Sequence, residues 1–428
     1  MNIHAWRLAL ALALTSAISL GLARFAYALV LPPMRADLGW TYFLSGAMNT
    51  ANALGYLVGA LMSRRWLTRF DAQAVLLTGG LGAVLTLCAH GLWVPQTHAG
   101  AAVATEAISG SHNVWLAAMR LASGVASAAM FVAGGVLAAR LASRASRVGD
   151  AQEKSHAGLI LGIYYGGTGL GIVLSTALVP WVITWSTPHA WRWAWVGLGL
   201  MALLALVTTA RLMTGKRGAL LLAPPATSAA PTPSSSRFPW RNFWPSLAGY
   251  FCFGLGYIGY MTFVITLLRE QQLPPKLVVV FFALLGLGVM ASSGLWANLL
   301  QHHRNGRPMM QLNGLLAVAT VLPVLSTHPL AVLASGMLFG SVFLSVVAST
   351  TALVRHNLPE PQWTAGIAAY TIVFAIGQIM GPSLVGWVAD GPGGLLRGFL
   401  VSAGVLALGA GVAARQSEIR KKDLLFKQ

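Results

Sequence analysis

The chain has 428 residues, of which 56% are hydrophobic and 9% charged, and its net charge is +18. Soluble domains carry about 25% charged residues, so this composition excludes an ordinary water-soluble globule and points to a bilayer. The basic excess is no nucleic-acid signature either, because the charges lie in short loops between apolar runs.

A crossing helix needs about 20 apolar residues. Helices are required here, because open backbone cannot be satisfied in lipid. The first run, 6–31, is longer than the apolar stretch of a signal peptide, about 7–15 residues, and more runs follow it. It is expected to stay as the first span. Five more follow at roughly 42–62, 72–93, 114–139, 157–182 and 191–212. A second set of six is expected at roughly 243–268, 277–300, 309–326, 330–354, 364–388 and 395–414. The ninth and tenth are separated only by Thr327, His328 and Pro329. Cys88 and Cys252 both lie inside apolar runs and suggest no disulfide framework.

Between the two sets, 214–240 is rich in proline and serine and carries Lys216 and Arg217. Such a segment cannot bury a core and reads as a flexible linker. The expected organisation is a six-helix bundle over 1–213, a cytoplasmic linker over 214–240, and a second bundle with a short basic tail over 241–428.

Charge sets the orientation. With both termini in the cytoplasm, 21 of the 28 Lys and Arg residues fall on the inner side and five on the outer. Positive charge favours the inner side, so an even number of spans in an inner (plasma) membrane is expected. The outer loop over 94–113 carries no Lys or Arg. His90, His98, His112 and Glu106 lie in or near it, but their spacing matches no zinc pattern. They are read as solvated loop residues, with no metal.

Two basic residues remain inside spans, Arg24 and Arg120. An ionisable group at helix depth is a functional candidate by default. By helical rise, both sit roughly 10 Å from the outer end of their spans, where two guanidinium forks could hold one anion. Alternatively, each caps backbone carbonyls or snorkels outward. Tyr27 follows Arg24 by three residues, and Asn49 and Asn52 are three apart, so each pair is expected to share a helix face. Tyr164, Tyr257, Tyr260, Tyr370 and Gln378 complete the candidate substrate-binding set, each with packing as an equal alternative. No Asp or Glu lies mid-span, which tilts the cargo towards anionic or neutral molecules.

The pairs Gly55/Gly59, Gly158/Gly162 and Gly377/Gly381 have the spacing that lets helices approach closely. Gly381-Pro382 is an expected flexing point. Gly166-Gly167-Thr168-Gly169 lacks the following Lys of a phosphate loop. The halves also echo each other. Gly21, Leu22 and Tyr27 match Gly254, Leu255 and Tyr260 at an offset of 233, and Gly59 and Ser63 match Gly294 and Asn298 at 235. Duplicated six-helix halves are a device of secondary transporters.

On these residues the chain resembles the major facilitator superfamily over essentially its whole length. Gly59-Ala-Leu-Met-Ser63-Arg64-Arg65 is similar to the signature after its second span, with Ser63 in place of the usual Asp. Arg120-Leu-Ala-Ser-Gly124 is similar to its fourth-span pattern. The glycines of span 5, Gly162 among them, are similar to its fifth, although the following Pro is missing. Gly21-Leu-Ala-Arg24-Phe25-Ala-Tyr27 through Leu31-Pro32-Pro33-Met34, and Gly377-Gln378 through Asp390, resemble the YbfB/YjiJ-like branch. The resemblance implies an all-α membrane fold of 12 transmembrane helices in two pseudo-symmetric bundles. It also implies gating or structural roles for Gly59, Arg64, Arg65, Gly124, Gly162, Gly381 and Pro382.

The expected function is secondary active transport of a small organic solute, an anion being one option, by alternating access. A multidrug or metabolite exporter of the same fold is the alternative, and a membrane receptor or enzyme fits less well. No cofactor and no nucleic acid are expected. The expected partners are the solute and the lipid bilayer, with a coupling proton left open and a monomer as the assembly.

Overall fold

The computed structural model describes residues 3–92, 102–145, 151–185, 187–214 and 238–419. Among them twelve long helical passes occur. In order, spans 1–6 are His4–Leu38, Tyr42–Arg69, Ala72–Leu92, Ala102–Ala145, Ala151–Ile183 and Ala190–Met213. Spans 7–12 are Trp240–Glu270, Pro275–His302, Arg307–Leu325, Pro329–Asn357, Trp363–Ala389 and Gly394–Ala413. Eleven are long and apolar enough to cross a membrane. The other, span 2, has 28 residues, but Asn49, Asn52 and three arginines at its end dilute its hydropathy. The chain divides into two compact units, Met1–Ala223 and Pro224–Gln428. Most of the expected linker, residues 215–237, lies outside the described residues.

The helix ends follow local chemistry. Span 1 runs through Pro32 and Pro33 to Leu38, beyond the expected residue 31, and stops at Gly39, whose φ of 62° is left-handed. The Thr41 side chain caps span 2 by accepting from Leu44 N at 3.1 Å. Spans 9 and 10 are separate, as expected, and His328 caps the tenth by accepting from Leu330 N. Span 4 begins at Ala102, so the loop expected over 94–113 is shorter.

Within each unit the same pairs pack. Spans 2 and 3 lie against span 4, span 1 against spans 5 and 6, and span 3 against span 6. The second unit repeats this with spans 8 and 9 against 10, 7 against 11 and 12, and 9 against 12. The closest approaches repeat too. A Cβ on Gly55 would stand 2.8 Å from the Leu121 carbonyl carbon, and one on Gly288 would stand 2.8 Å from the Met337 oxygen. Gly124 likewise meets the Asn52 carbonyl, as Gly340 meets that of Leu285. Spans 2 and 8 therefore correspond at an offset of 233, and spans 4 and 10 at 216.

One expected repeat match and one expected close contact need correction. A Cβ on Gly294 would meet open space, so the 235 offset marks no equivalent packing. Gly158 also faces open space, because span 5 meets span 1 further along, through Gly167 and Gly171. Gly377 and Gly381 do pack closely on span 7, and span 11 continues through Pro382.

Span 1 departs from α-helix. Residues Ala17–Phe25 form a π-helical segment, with Ala26 N bonded to the Gly21 carbonyl at 2.9 Å. Comparison with span 7 gives the cause. Gly171 meets Ala17 where Gly377 meets Phe251, and Gly21 meets Thr168 where Gly254 meets Phe374. Four steps in span 1 match three in span 7, so span 1 carries one extra residue. A π turn is how a helix absorbs it.

Candidate functional site

Arg24 lies in the last turn of the π segment and is 4% exposed. Its guanidinium carbon stands 5.2 Å from the Tyr56 ring centroid and 5.8 Å from that of Phe25. Its Nε and Nη2 have no hydrogen-bond partner. A buried guanidinium held by aromatic faces alone leaves its directional donors open.

Arg120 is the opposite case. Its Nη2 donates to Asn49 Oδ1 at 3.0 Å, its Nη1 to the Ala23 carbonyl at 3.2 Å and its Nε to the Met48 carbonyl at 3.4 Å. Its guanidinium lies 4.4 Å from the Tyr27 ring centroid and 5.8 Å from that of Trp195. It binds spans 1, 2 and 4 together and follows the carbonyl-capping alternative. The Ala23 carbonyl precedes Arg24 directly, so this clamp also fixes the turn that carries Arg24.

The π turn changes which predicted residues meet. Tyr27 falls in the helix after the π segment, so its ring lies beneath Arg120 rather than sharing a face with Arg24. Its hydroxyl donates to the Ser45 carbonyl at 2.9 Å. Asn49 and Asn52 do share a face. Asn52 Nδ2 donates to the Arg120 carbonyl at 3.0 Å, while its Oδ1 has no partner. Tyr56, four residues on, continues that face. The i, i+4 spacing from Asn52 was the signal that could have found it. Tyr164 donates to the Phe131 carbonyl at 2.5 Å.

In the second unit, Tyr257 donates to Gln378 Oε1 at 2.6 Å, bringing two candidates together. Tyr260 and Tyr370 are held elsewhere. Tyr260 bonds Ser335, whose hydroxyl donates to the Ala319 carbonyl, and Tyr370 bonds Ser246. The rings of Tyr250, Phe253, Tyr257 and Phe374 form a stack with centroids 4.7–5.8 Å apart.

The gating candidates divide. Gly59 packs against Val125 and Ala128, and Gly124 against Asn52 and Tyr56. Arg64 and Arg65 are exposed, and Gly162 is half-buried within span 5. Ser63 donates back to the Gly59 carbonyl at 2.7 Å.

The solvated-loop reading fails for two histidines. His90 is fully buried, its Nδ1–H donating to the Thr86 carbonyl at 2.6 Å and its ring stacked 4.5 Å from Trp195. His112 is 2% exposed and edge-on to Trp191. The earlier start of span 4 draws His112 into the helix packing. His98 and the Glu106 side chain lie outside the described residues.

The family model described as "Uncharacterised MFS-type transporter YbfB" matches residues 16–414, nearly the whole chain. The chain belongs to this family. Two solved structures share the fold: those of a bacterial homologue of the human lysosomal transporter Spinster, inward-facing, one unoccupied and one occupied. The unoccupied form aligns at TM-score 0.68 and 13% identity, over 97% of this chain and 98% of that one. The occupied form aligns at 0.66 and 14%, over 99% of both. None of the curated proteins matches. The chain is thus a multi-span membrane protein of a transporter family, with the major-facilitator fold.

Proposed function

We propose that this chain is a secondary active transporter that moves a small organic anion across the inner membrane by alternating access. Arg24 carries the reading. A cation buried in a span, with two donors unpartnered, is costly unless an anion completes it. Among the described residues no Asp or Glu is buried to supply that charge from the protein. Arg120, Asn49 and Tyr27 hold the Arg24 turn and the facing span. Asn52 borders the site. Tyr164, Tyr257, Tyr260, Tyr370 and Gln378 follow the packing alternative, each bonded within its own unit. The charge bias supports cytoplasmic termini. The division is 1–213, 214–240 and 241–428, acting as a monomer without cofactor or enzymatic chemistry. Among the described residues a coupling proton has no buried carboxylate carrier.

Saturable flux with counterflow in proteoliposomes is the expected behaviour, and continuous channel-like current would overturn the carrier reading. Arg24→Gln is expected to weaken carboxylate binding at least about tenfold, as one charge-assisted hydrogen bond or more is lost. Unchanged affinity in well-folded protein, or thermal stabilisation by organic cations alone, would remove the anion reading.

A further inference from the structure

Five buried polar atoms without hydrogen-bond partners belong to residues at the crossing of spans 2 and 4 and to Arg24, which Tyr56 links to that crossing. They are Arg24 Nε and Nη2, Asn52 Oδ1, Ser123 Oγ and Ser127 Oγ. None of the residues that carry them is more than 4% exposed. Gly124 lies between the two serines, and a Cβ on it would stand 2.7 Å from Tyr56 N and against the Asn52 carbonyl. Tyr56 in turn has the Arg24 guanidinium over its ring. Ser123 and Ser127 are four residues apart and share a helix face. Other buried serines of this unit behave differently. Ser45, Ser63 and Ser175 each donate to a carbonyl one turn back.

A buried polar atom left unsatisfied costs about 1–3 kcal/mol, and native proteins tolerate few. Five at and beside one crossing call for a ligand, and their chemistry restricts it. Nε and Nη2 form one edge of a guanidinium, which a carboxylate meets with two parallel bonds. Asn52 Oδ1 accepts only, and the serine hydroxyls donate or accept. The ligand must therefore bring donors besides its carboxylate. An ammonium would bring a second buried charge, with no buried Asp or Glu among the described residues to balance it. A hydroxyl brings the donor without the charge.

We infer that the cargo is a small hydroxylated carboxylate. Its carboxylate meets the Nε/Nη2 edge of Arg24, and its hydroxyls meet Asn52 Oδ1 and the Ser123 and Ser127 hydroxyls. This rests on the anion reading of the same site. An acid without hydroxyls leaves the Asn52 acceptor unsatisfied and offers the serines nothing beyond its carboxylate, which is how a polar site rejects a deoxy analogue.

The test compares lactate and glycerate with propionate by tryptophan-fluorescence titration of purified wild-type protein, R24Q and the S123A/S127A double variant. Lactate and glycerate are expected to bind about tenfold tighter than propionate. In the double variant the ratio falls to within about threefold while propionate affinity stays constant. R24Q loses both classes. Equal wild-type binding of hydroxylated and deoxy acids, or equal losses for both in the double variant, assigns the five atoms to ordered water. Either result overturns this inference and leaves the anion reading standing. Failure of every carboxylate to bind, or binding indifferent to R24Q, overturns both. If the double variant does not fold, the wild-type ratio decides.

Discussion

The crossing of spans 2 and 4 and the crossing of spans 8 and 10 have one backbone and two chemistries. At the offsets fixed by the glycine contacts, Arg24 corresponds to Tyr257, Asn52 to Leu285, Ser123 to Phe339 and Ser127 to Phe343. The first crossing is polar and under-satisfied. The second is filled by rings, with Tyr257 and Phe339 each about 6 Å from Phe343, and the Tyr257 hydroxyl is satisfied by Gln378. Backbone geometry has stayed the same because carbonyl-to-glycine contacts leave no room to drift. Side chains beside the glycines were free to diverge. Unsatisfied polar groups are thereby concentrated in one half, and the corresponding residues of the other are apolar.

The largest expected effect tests the shared backbone. Gly124→Val and Gly340→Val should each destabilise by about 3 kcal/mol, because the added carbons meet backbone that cannot rotate away. Matched losses in denaturant or thermal melts in detergent would support equivalence, and a loss at one position only would break it.

Next comes the clamp. Arg120→Gln removes donors from the Ala23, Met48 and Asn49 oxygens, and about 2 kcal/mol of stability should go with them. Arg120→Lys should restore part of this, since an ammonium cannot reproduce the planar fork. A melt of Arg120→Gln identical to wild type would exclude the clamp.

A smaller change is expected at the apolar crossing. Tyr257→Phe deletes one hydroxyl bonded to Gln378 and should cost about 1 kcal/mol, with carboxylate affinity unchanged. A large loss of affinity there would show that the two crossings share the ligand chemistry. Smallest, and opposite in sign, is Gly158→Ala. Nothing crowds that position, so helix propensity should stabilise by about 0.5–1 kcal/mol, whereas Gly167→Ala should destabilise.

Much of the candidate site is legible in the sequence because polarity inside an apolar span is rare. Arg24, Arg120, Asn49 and Asn52 stood out for that reason. Their partnership was not legible. It depended on the π turn, which shifts the phase of everything after Phe25 and so gives Tyr27 to Arg120 and Tyr56 to Arg24. Ser123 and Ser127 carry no signal in the sequence, because serines in spans ordinarily bond their own helix. His112 is drawn inside because the helix starts at Ala102, which a loop rich in small residues does not signal, whereas His90 belongs to span 3 itself.

The sequence by itself determined the number of spans, the duplication and the poverty of buried acids, since each follows from composition and period. Tertiary structure decided the register between the halves and which arginine is left open. Offsets of 233 and 235 look alike in a glycine-rich chain, and only the backbone contact at Gly288, with the open space at Gly294, separates them. A guanidinium's availability likewise depends on which carbonyls fall within 3.5 Å, and only the packing of spans 1, 2 and 4 settles that.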